Sequence, residues 1–460
     1  MTGLRGEPPA RDEDAPDAGC GTGEAPGWLA ARFEAELARG PVLARAFEDR
    51  ARGYRGFLVI DSLCGGRSGG GLRIRPGLEL DELRHAARIM TLKQRFAGVP
   101  TGGAKSGVEG DEDLPREEKL RRIRWLVGEM AAWLDTGALG IGPDMGTDPG
   151  LIEAVLEERG LLAGRRRFPG RFRGSGFYTA LTAIEAAEAA LLAADGGAAP
   201  RRGRSPLKGL RVAVEGFGAV GSSAARIAAE RGARVVAVST SGGAIHRPEG
   251  LDVGGLLRAP DPLAGDPAAE VLPREALLAL PVDVLLPCGP GETLDVRSAT
   301  SVSARVVSPG ANTPADRALA GAFHARGVVF VPSFVANCGG ITAATLRAAG
   351  TPDVWIEGLL RGVYPRRVAA LLREATTVNA TPLEVALATL LPLPGESDPA
   401  EEAGPGSTGE GPAPAGVGTR SAAWLRLRRL YRSRAVPAPL LALPTALYFA
   451  RRLGRRRPLP

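Results

Sequence analysis

A glycine-rich turn between two apolar segments constrains the fold of this chain more than any other feature. The turn GFGAVG follows the apolar segment RVAVE and opens a helix-forming stretch, which leads to a second apolar segment, RVVAVST. Its three glycines permit a tight turn, close approach of a pyrophosphate, and close packing of the helix on the strand. This order predicts a Rossmann βαβ unit whose dinucleotide-binding residues are Gly216, Phe217, Gly218, Ala219, Val220 and Gly221.

Three further apolar segments continue the alternation of strand-like and helix-forming stretches after that unit. They are VDVLLPC (Val282–Cys288), ARVVSPGAN (Ala304–Asn312) and GVVFVPS (Gly327–Ser333). Short apolar segments alternating with helical stretches predict a parallel sheet. We expect the loops PGAN and VANCGG, which contain Asn312 and Asn337, at the carboxyl edge where such sheets bind ligands.

The region before the βαβ unit predicts strands at Gly56–Leu63 and Gly71–Pro76 and then a helix. The helix has an apolar stripe at Leu83, Ala87 and Met90, and Lys93 continues it. An ammonium group on an apolar face either reaches the surface or is compensated by a bound anion, because burying it unpaired is expensive. The glycine-rich sequence just downstream favours the anion.

Lysine is rare in this chain, which makes its positions informative. Only four of the 58 basic residues are lysines, and Lys105 lies in TGGAKSGV (Thr101–Val108). Arginine stays charged, whereas a desolvated lysine can titrate near neutrality. The segment is either a glycine-rich turn with an exposed lysine or a loop cleared of side chains around an acid–base group. Asp144, in GIGPDMGTDP, is by itself explained as a cap of its own turn.

Composition excludes several classes of function. The four cysteines are scattered and the three histidines form no HExxH pattern, so no disulfide framework or metal site is indicated and a reducing cytoplasm fits best. The net charge of +7 depends on ten arginines in residues 421–460, without which the chain is slightly acidic. We therefore expect no nucleic-acid partner; the basic tail alone could rest on an anionic membrane surface.

The ordered motifs together resemble the glutamate/leucine/phenylalanine/valine dehydrogenase family. The matching segments are GGLR (Gly70–Arg73), MTLK (Met90–Lys93), GGAKSGV (Gly102–Val108), PDMGT (Pro143–Thr147), GFGAVG (Gly216–Gly221), GAN (Gly310–Asn312) and ANCGG (Ala336–Gly340). The resemblance implies a homo-oligomeric enzyme that uses NAD or NADP to oxidise an L-amino acid in a cleft between an N-terminal domain and a Rossmann domain. It implies that Lys105 assists catalysis, that Asp144 shuttles protons, and that Lys93 binds the substrate α-carboxylate beside Gly70 and Gly71.

Two departures from the family pattern concern the substrate side chain. Glutamate-specific members carry a lysine where this chain has Gly69, and a serine where it has Ala344. Without that cation and hydroxyl, the pocket is expected to take a branched-chain or other apolar amino acid, with Ala344 lining it. A third departure is RGSG, which places Arg173 where a threonine usually meets the nicotinamide.

The end of the second Rossmann strand bears on the choice of cofactor. NAD-binding relatives usually have an aspartate where this chain has Thr240, so no carboxylate repels a 2′-phosphate. Ser239 and Ser241 offer further hydroxyls, and His246 and Arg247 follow in the sequence. We expect use of NADP, alone or beside NAD. The other interpretation is that the hydroxyls cap a turn and hold the ribose weakly, which gives dual specificity.

The predicted fold is α/β, with a substrate-binding and oligomerisation domain followed by a doubly wound Rossmann domain. The predicted segments are a disordered N-terminus (1–27), the first domain (28–170), the Rossmann domain (171–345), helices that return to the first domain (346–394), a linker (395–420) and a basic tail (421–460). One alternative function is a catalytically silent sensor or scaffold, favoured by Arg173 and the tail. Another, a hydroxy-acid oxidoreductase, lacks the expected histidine near the cofactor.

Overall fold

The computed structural model of the chain describes Leu29, Ala35 and residues 39–162, 173–196, 204–289, 294–313, 316–348 and 351–390. The predicted disordered N-terminus (1–27), linker (395–420) and basic tail (421–460) lie outside these residues. Within them the chain forms two sheets covered by helices, which confirms the predicted α/β class.

The first sheet has five strands in the order β1-β2-β4-β3-β5. Strands β3, β4 and β5 run parallel, whereas β2 is antiparallel to both β4 and β1. Its elements are β1 (Leu43–Asp49), β2 (Tyr54–Ile60), β3 (Ser68–Arg75), α1 (Leu80–Ala97), β4 (Gly102–Glu109), α2 (Arg116–Glu129), α3 (Ala131–Asp135), β5 (Leu139–Pro143) and α4 (Pro149–Glu158). The two predicted strands and the predicted helix of this region are therefore present, with shifted strand ends.

The expectation of a turn or loop at Thr101–Val108 is wrong, because this segment forms β4 in the middle of the sheet. Its glycines serve close packing instead of chain reversal. A Cβ on Gly103 would lie 2.2 Å from the backbone nitrogen of Thr91 in α1, and one on Gly102 would lie 1.9 Å from the carbonyl oxygen of Ser62. Glycine is therefore required where α1 and the segment after β2 pack closely on the strand.

The second sheet has seven strands in the order β12-β11-β10-β6-β7-β8-β9. The strands from β12 to β7 are parallel, and β8 runs antiparallel to β7 and β9. Its strands are β6 (Arg211–Glu215), β7 (Arg234–Thr240), β8 (Gly243–His246), β9 (Glu270–Leu272), β10 (Val284–Pro287), β11 (Val306–Val307) and β12 (Val329–Phe330). The predicted βαβ unit and the parallel continuation are both present.

Helices cover this sheet and connect it with the first region. They are α5 (Ser175–Ala194), α6 (Ala219–Glu230), α7 (Val253–Arg258), α8 (Val296–Ser301), α9 (Arg317–His324), α10 (Ser333–Ala336), α11 (Gly339–Ala348), α12 (Asp353–Thr377) and α13 (Pro382–Thr389). The ring of Tyr364 in α12 meets Phe96 of α1 edge to face, with centroids 6.1 Å apart. The Arg367 guanidinium lies 4.8 Å from the centre of the same Phe96 ring. Helix α12 thus packs on the first region as well as on the Rossmann sheet's helices.

Helix α5 is the one described helix that is long and apolar enough to cross a membrane by length and composition. It is mostly buried, and it packs against α6 and α12. Its apolar character is therefore accounted for by its place at the centre of the second core, since a helix that is apolar all round is normally surrounded by protein or lipid.

Candidate active site

The glycine-rich turn has the shape needed to hold a pyrophosphate. Gly216 has a φ of +83°, and a Cβ there would lie 2.5 Å from the Gly289 nitrogen. A Cβ on Gly221 would lie 1.8 Å from the Gly216 carbonyl oxygen, so α6 packs directly on the turn. Above Gly218 there is open space, and both Gly218 and Ala219 are exposed at the start of the helix. Backbone N–H groups at such a helix start are suited to binding a phosphate anion.

The remaining two residues of the turn are less exposed than Gly218 and Ala219. Phe217 and Val220 are half-buried. A Cβ on Gly310, in the loop after β11, would lie 2.8 Å from Val220. The loop therefore packs against the start of α6. These contacts bring the turn after β6 and the loop after β11 together at one edge of the sheet.

The end of β7 differs in part from expectation. Thr240 is half-buried and its hydroxyl accepts a hydrogen bond from Gly242 N at 3.1 Å, which is the turn-capping geometry. Ser239 is buried, and its hydroxyl accepts a bond from Gly216 N at 3.0 Å. Arg247 pairs with buried Asp266 at 3.3 Å. His246 lies opposite Ala237 in the β7–β8 ladder, away from the Thr240 end. Closeness in sequence therefore does not bring these two basic residues to the ribose position.

A buried charge cluster lies where β3, β4 and β5 run side by side. Lys105 Nζ is 2.7 Å from Asp144 Oδ2, and Arg73 Nε is 2.8 Å from the same oxygen. Arg73 Nη1 also contacts Glu82 Oε1 at 2.5 Å. The side chains of Lys105 and Arg73 are 4% and 8% exposed, so these charges interact in a medium far less polar than water. An exposed Lys105 is excluded by this burial.

Burial and mutual attraction set the protonation states in this cluster. Burial raises the pKa of Asp144, but the Lys105 ammonium and the Arg73 guanidinium outweigh it and hold that pKa at about 2. Burial lowers the pKa of Lys105, against the opposing attraction of Asp144. The cluster thus holds an ionised carboxylate next to a lysine whose proton is held less tightly than in water, a combination that favours proton transfer.

Neighbouring groups fix the carboxylate of Asp144 in place. Asp144 N donates to the Thr147 hydroxyl at 2.8 Å, and that hydroxyl donates to the Leu72 carbonyl oxygen at 2.9 Å. A Cβ on Gly71 would lie 2.7 Å from the Cβ of Asp144, so glycine is needed to admit the aspartate. Thr147 holds the turn, which leaves the carboxylate for Lys105 and Arg73. We did not predict Arg73 or Thr147 as site residues, although both lie within motifs that the sequence contains.

Lys93 lies at the junction between the two sheets. It is 8% exposed, and its Nζ donates to Asn312 Oδ1 at 2.6 Å. Burial, with a smaller contribution from the positive charge of Lys105, lowers the pKa of Lys93 to about 8. Lys93 therefore does not extend to solvent, and it is held close to Lys105 by the fold.

Two asparagines complete this junction. Asn337 Nδ2 donates to the Ala311 carbonyl oxygen at 2.8 Å and to Asn312 Oδ1 at 3.2 Å. Asn337 is 2% exposed, and its Oδ1 has no hydrogen-bond partner within the described part of the chain. A buried carbonyl oxygen without a donor is costly, so a ligand N–H group would be bound favourably there. Asn312 is exposed, and its side chain connects Lys93 with Asn337.

The predicted pocket residues fall on two elements. A Cβ on Gly70 would lie 1.6 Å from the Ala104 carbonyl oxygen, so this position admits no side chain. At Gly69 a Cβ would meet its neighbours at ordinary contact distances of 3.5 and 3.6 Å. Ala344 is exposed on α11, the helix that begins two residues after Asn337. A side chain at Gly69 is thus sterically possible, although this chain has none.

Arg173 has its own partners at the start of α5. Its guanidinium lies 3.7 Å from the centre of the Phe177 ring, and its Nη1 donates to Glu357 at 3.2 Å. Its side chain is 39% exposed. Cation–π stacking and an ion pair therefore hold this arginine against α5 and α12.

Two family profiles match this chain, and together they cover more than half of it. The profile of the Glu/Leu/Phe/Val dehydrogenase dimerisation domain matches residues 43–159. The profile of the Glutamate/Leucine/Phenylalanine/Valine dehydrogenase domain matches residues 181–353. The first match contains Lys93, Lys105 and Asp144, and the second contains the glycine-rich turn with Asn312 and Asn337.

Curated relatives and solved structures agree with these profiles. Glutamate dehydrogenase of Aeropyrum pernix is 31% identical over 295 residues, 59% of this chain and 66% of that protein. The NAD-specific glutamate dehydrogenase A and the NADP-specific glutamate dehydrogenase A1 of Halobacterium salinarum are each 32% identical, over 60% of this chain and 64% and 67% of their own lengths. The chain thus spans about two thirds of each relative, slightly less for the first two.

Two solved structures share the fold. The hetero-hexameric glutamate dehydrogenase of Thermus thermophilus, in its leucine-bound form, has a TM-score of 0.65 and 25% identity, covering 79% of this chain and 94% of its own. L-tryptophan dehydrogenase of Nostoc punctiforme has a TM-score of 0.54 and 21% identity, covering 77% and 96%; the latter shows the fold alone. With both profiles matched and a 32% identical relative covered over two thirds of its length, the chain belongs to the glutamate/leucine/phenylalanine/valine dehydrogenase family.

Proposed function

We propose that this protein is an NAD(P)-dependent dehydrogenase that oxidises an L-amino acid to an imine and hydrolyses the imine to a 2-oxo acid and ammonia. The observation that carries the proposal is the meeting of two buried lysines with lowered pKa values, Lys93 and Lys105, at the junction with the Rossmann loops. Lys93 Nζ is 2.6 Å from Asn312, which lies in the loop after β11. Substrate held at this junction has an acid–base cluster on one side and the dinucleotide cleft on the other.

Each of the three charged residues has a separate role in the proposed mechanism. Lys93 binds the α-carboxylate, because a buried ammonium with only a neutral amide partner gains from an anion. Asp144, ionised by its neighbours, accepts a proton from the substrate ammonium and leaves the amine that can be oxidised. Nicotinamide, when bound, would supply the hydride acceptor. Lys105 first releases its proton to solvent, which its lowered pKa favours, and in that neutral form takes a proton from the water that attacks the imine carbon.

The turn after β6 would hold the cofactor. Gly216, Phe217, Gly218, Ala219, Val220 and Gly221 would contact the pyrophosphate, Thr240 the ribose, and Asn312 and Asn337 the nicotinamide end. The open space above Gly218 and the unpartnered oxygen of Asn337 support this assignment.

We propose that NADP is accepted, alone or beside NAD. Thr240 has no charge to repel a 2′-phosphate. Its hydroxyl oxygen accepts from Gly242 N, and the hydroxyl hydrogen remains to be donated to a phosphate or a ribose oxygen. Both NAD-specific and NADP-specific relatives occur among the curated matches.

The substrate pocket is proposed to favour an apolar side chain, with Gly70, Gly71 and Ala344 around it. The support is chemical: Gly69 and Ala344 offer neither a cation nor a hydroxyl to a second carboxylate. Because a Cβ fits at Gly69 without strain, packing does not dictate the glycine there. An acidic side chain would therefore enter without compensation for its lost hydration.

We also propose that the protein assembles with further copies of itself and works in a reducing compartment, the cytoplasm. The match to a dimerisation domain supports assembly. No disulfide joins the described cysteines Cys64, Cys288 and Cys338, which is usual for a reducing compartment.

A spectrophotometric screen tests the proposed function directly. Purified protein is mixed with NAD⁺ or NADP⁺ and each common L-amino acid, and formation of the reduced cofactor is followed. We expect turnover with at least one branched-chain or aromatic amino acid and a lower kcat/KM for glutamate. If no amino acid is oxidised with either cofactor, the catalytically silent alternative is favoured. The supporting observation for that alternative is Arg173 at the start of α5.

A further inference from the structure

A buried ion pair lies directly beneath the dinucleotide turn. Glu215, the last residue of β6, is 2% exposed, and its Oε1 is 3.0 Å from Arg274 Nη2. Its Oε2 accepts a hydrogen bond from Gly289 N at 3.0 Å. The same Gly289 nitrogen lies 2.5 Å from the position of a Cβ on Gly216. The pair therefore touches the backbone that would hold the cofactor.

The path of the chain places Arg274 across the carboxyl edge of the sheet. Arg274 comes two residues after β9 ends at Leu272, and β9 is separated from β6 by β8 and β7. Adjacent strands lie about 4.8 Å apart, so the ends of β9 and β6 are roughly 14 Å apart. Arg274 opens a short 3-10 helix (Arg274–Ala279) that contacts β6, β7 and β8, so the chain itself crosses the edge of the sheet and brings the Arg274 guanidinium to Glu215.

The end of β7 is Thr240, where the sugar of the adenosine is expected. Thr240 pairs with Gly243 on β8, and the neighbouring Ala244 pairs with Leu272 on β9. Leu272, the last residue of β9, is therefore level with Ser239, one residue before the end of β7, and Arg274 follows two residues later at the same edge. The arginine that follows the β7–β8 hairpin in sequence, Arg247, is instead held by Asp266.

We infer that Arg274 determines cofactor specificity by binding the 2′-phosphate of NADP, with Glu215 as the group that positions it. A guanidinium has five N–H donors in a fixed fork that matches phosphate geometry, and Glu215 contacts Nη2. The Arg274 side chain is 29% exposed, so it is both anchored and accessible. This inference rests on the proposed function only in that the cleft binds a nicotinamide dinucleotide.

Two nucleotide fragments test the inference without catalysis. Adenosine 2′,5′-bisphosphate carries the 2′-phosphate and adenosine 5′-monophosphate lacks it, and calorimetry gives the affinity for each. Wild-type protein should prefer the bisphosphate. Arg274→Gln alone would leave Glu215 buried without its cation, so the main variant is the double substitution Glu215→Gln, Arg274→Gln, with thermal unfolding as the check on folding.

The double variant should bind the bisphosphate roughly 10- to 100-fold more weakly, the scale of a lost charge-assisted contact, and the monophosphate within about twofold of wild type. Glu215→Gln alone should reduce the preference without abolishing it, because the guanidinium stays but loses the carboxylate that positions it. The double substitution Asp266→Asn, Arg247→Gln removes another ion pair with the same zero change in net charge; it serves as the matched control and should keep the preference.

Equal wild-type affinity for the two fragments would overturn the inference. An equal loss of affinity for both fragments in the double variant would also overturn it, because that result would indicate a purely structural role. The proposed function fails separately. If the protein distinguishes the fragments as expected but oxidises no amino acid, the proposed dehydrogenase activity is refuted and the role of Arg274 still holds.

Discussion

Replacing Lys93 with methionine is expected to stabilise the unliganded protein while weakening substrate binding. In the folded protein burial lowers the pKa of Lys93 from 10.5 to about 8, so the fold destabilises the charged form. At about 1.36 kcal/mol per pKa unit, this corresponds to roughly 3 kcal/mol below pH 8. Methionine has a similar length and no charge. After subtracting about 1 kcal/mol for the lost hydrogen bond to Asn312, we expect a gain of roughly 2 kcal/mol.

The pH dependence of this gain has a definite sign. Between the folded pKa of about 8 and the ordinary value of 10.5, the unfolded state holds more protons than the folded state. Wild-type stability should therefore rise with pH across this window, and the advantage of the methionine variant should shrink. The gain is fully present below pH 8, where Lys93 is charged in both states.

Denaturant titrations at a fixed protein concentration, near neutral pH and again near the top of that window, measure this effect. The matched control is Lys208→Met, which removes a lysine from an exposed position before β6. The control should change stability by less than about 0.5 kcal/mol. A Lys93→Met protein that is less stable than wild type near neutral pH would refute the reasoning, because it would show that the ammonium is compensated in the free protein.

Three further predictions concern the substrate and the cofactor. The KM for the amino acid should rise as the pH passes about 8, because Lys93 then loses the charge that binds the α-carboxylate; a KM independent of pH up to 10.5 would argue against that role. Gly69→Lys should raise kcat/KM for glutamate relative to leucine by about tenfold or more, since it restores a cation at a position with room for a side chain; an unchanged ratio would place Gly69 outside the pocket. Thr240→Asp should shift the kcat/KM ratio towards NAD⁺ by repelling a 2′-phosphate, and a wild type strictly dependent on NAD⁺ with an unmoved ratio would contradict the proposed NADP use.

The sequence predicts those parts of the fold that depend on local pattern. The βαβ unit is visible because a strand, a glycine-rich turn, a helix and a second strand follow one another without interruption. Lys93 and Lys105 stand out because the chain otherwise uses arginine. These features need no knowledge of distant contacts, and in the structure the βαβ unit is present and both lysines are buried.

Other features could not be predicted because they depend on what lies opposite in space. The glycines around Lys105, considered locally, indicate a turn. In the structure they lie on a central strand, where α1 packs too closely to leave room for a Cβ. Arg73 is as close to Asp144 as Lys105 is, but 71 residues separate it from that aspartate in sequence. Arg274 and Glu215 are 59 residues apart, and the strand order of the second sheet brings them together.

The turnover of Lys105 variants with the best amino acid tests the central claim most directly. Lys105→Ala should lower kcat by roughly 100- to 10,000-fold, the usual scale for losing acid–base assistance. Lys105→Arg should lower it almost as much, because arginine keeps the charge beside Asp144 and cannot release the proton. Near-wild-type kcat in Lys105→Arg would contradict the account, since it would show that a fixed positive charge is sufficient.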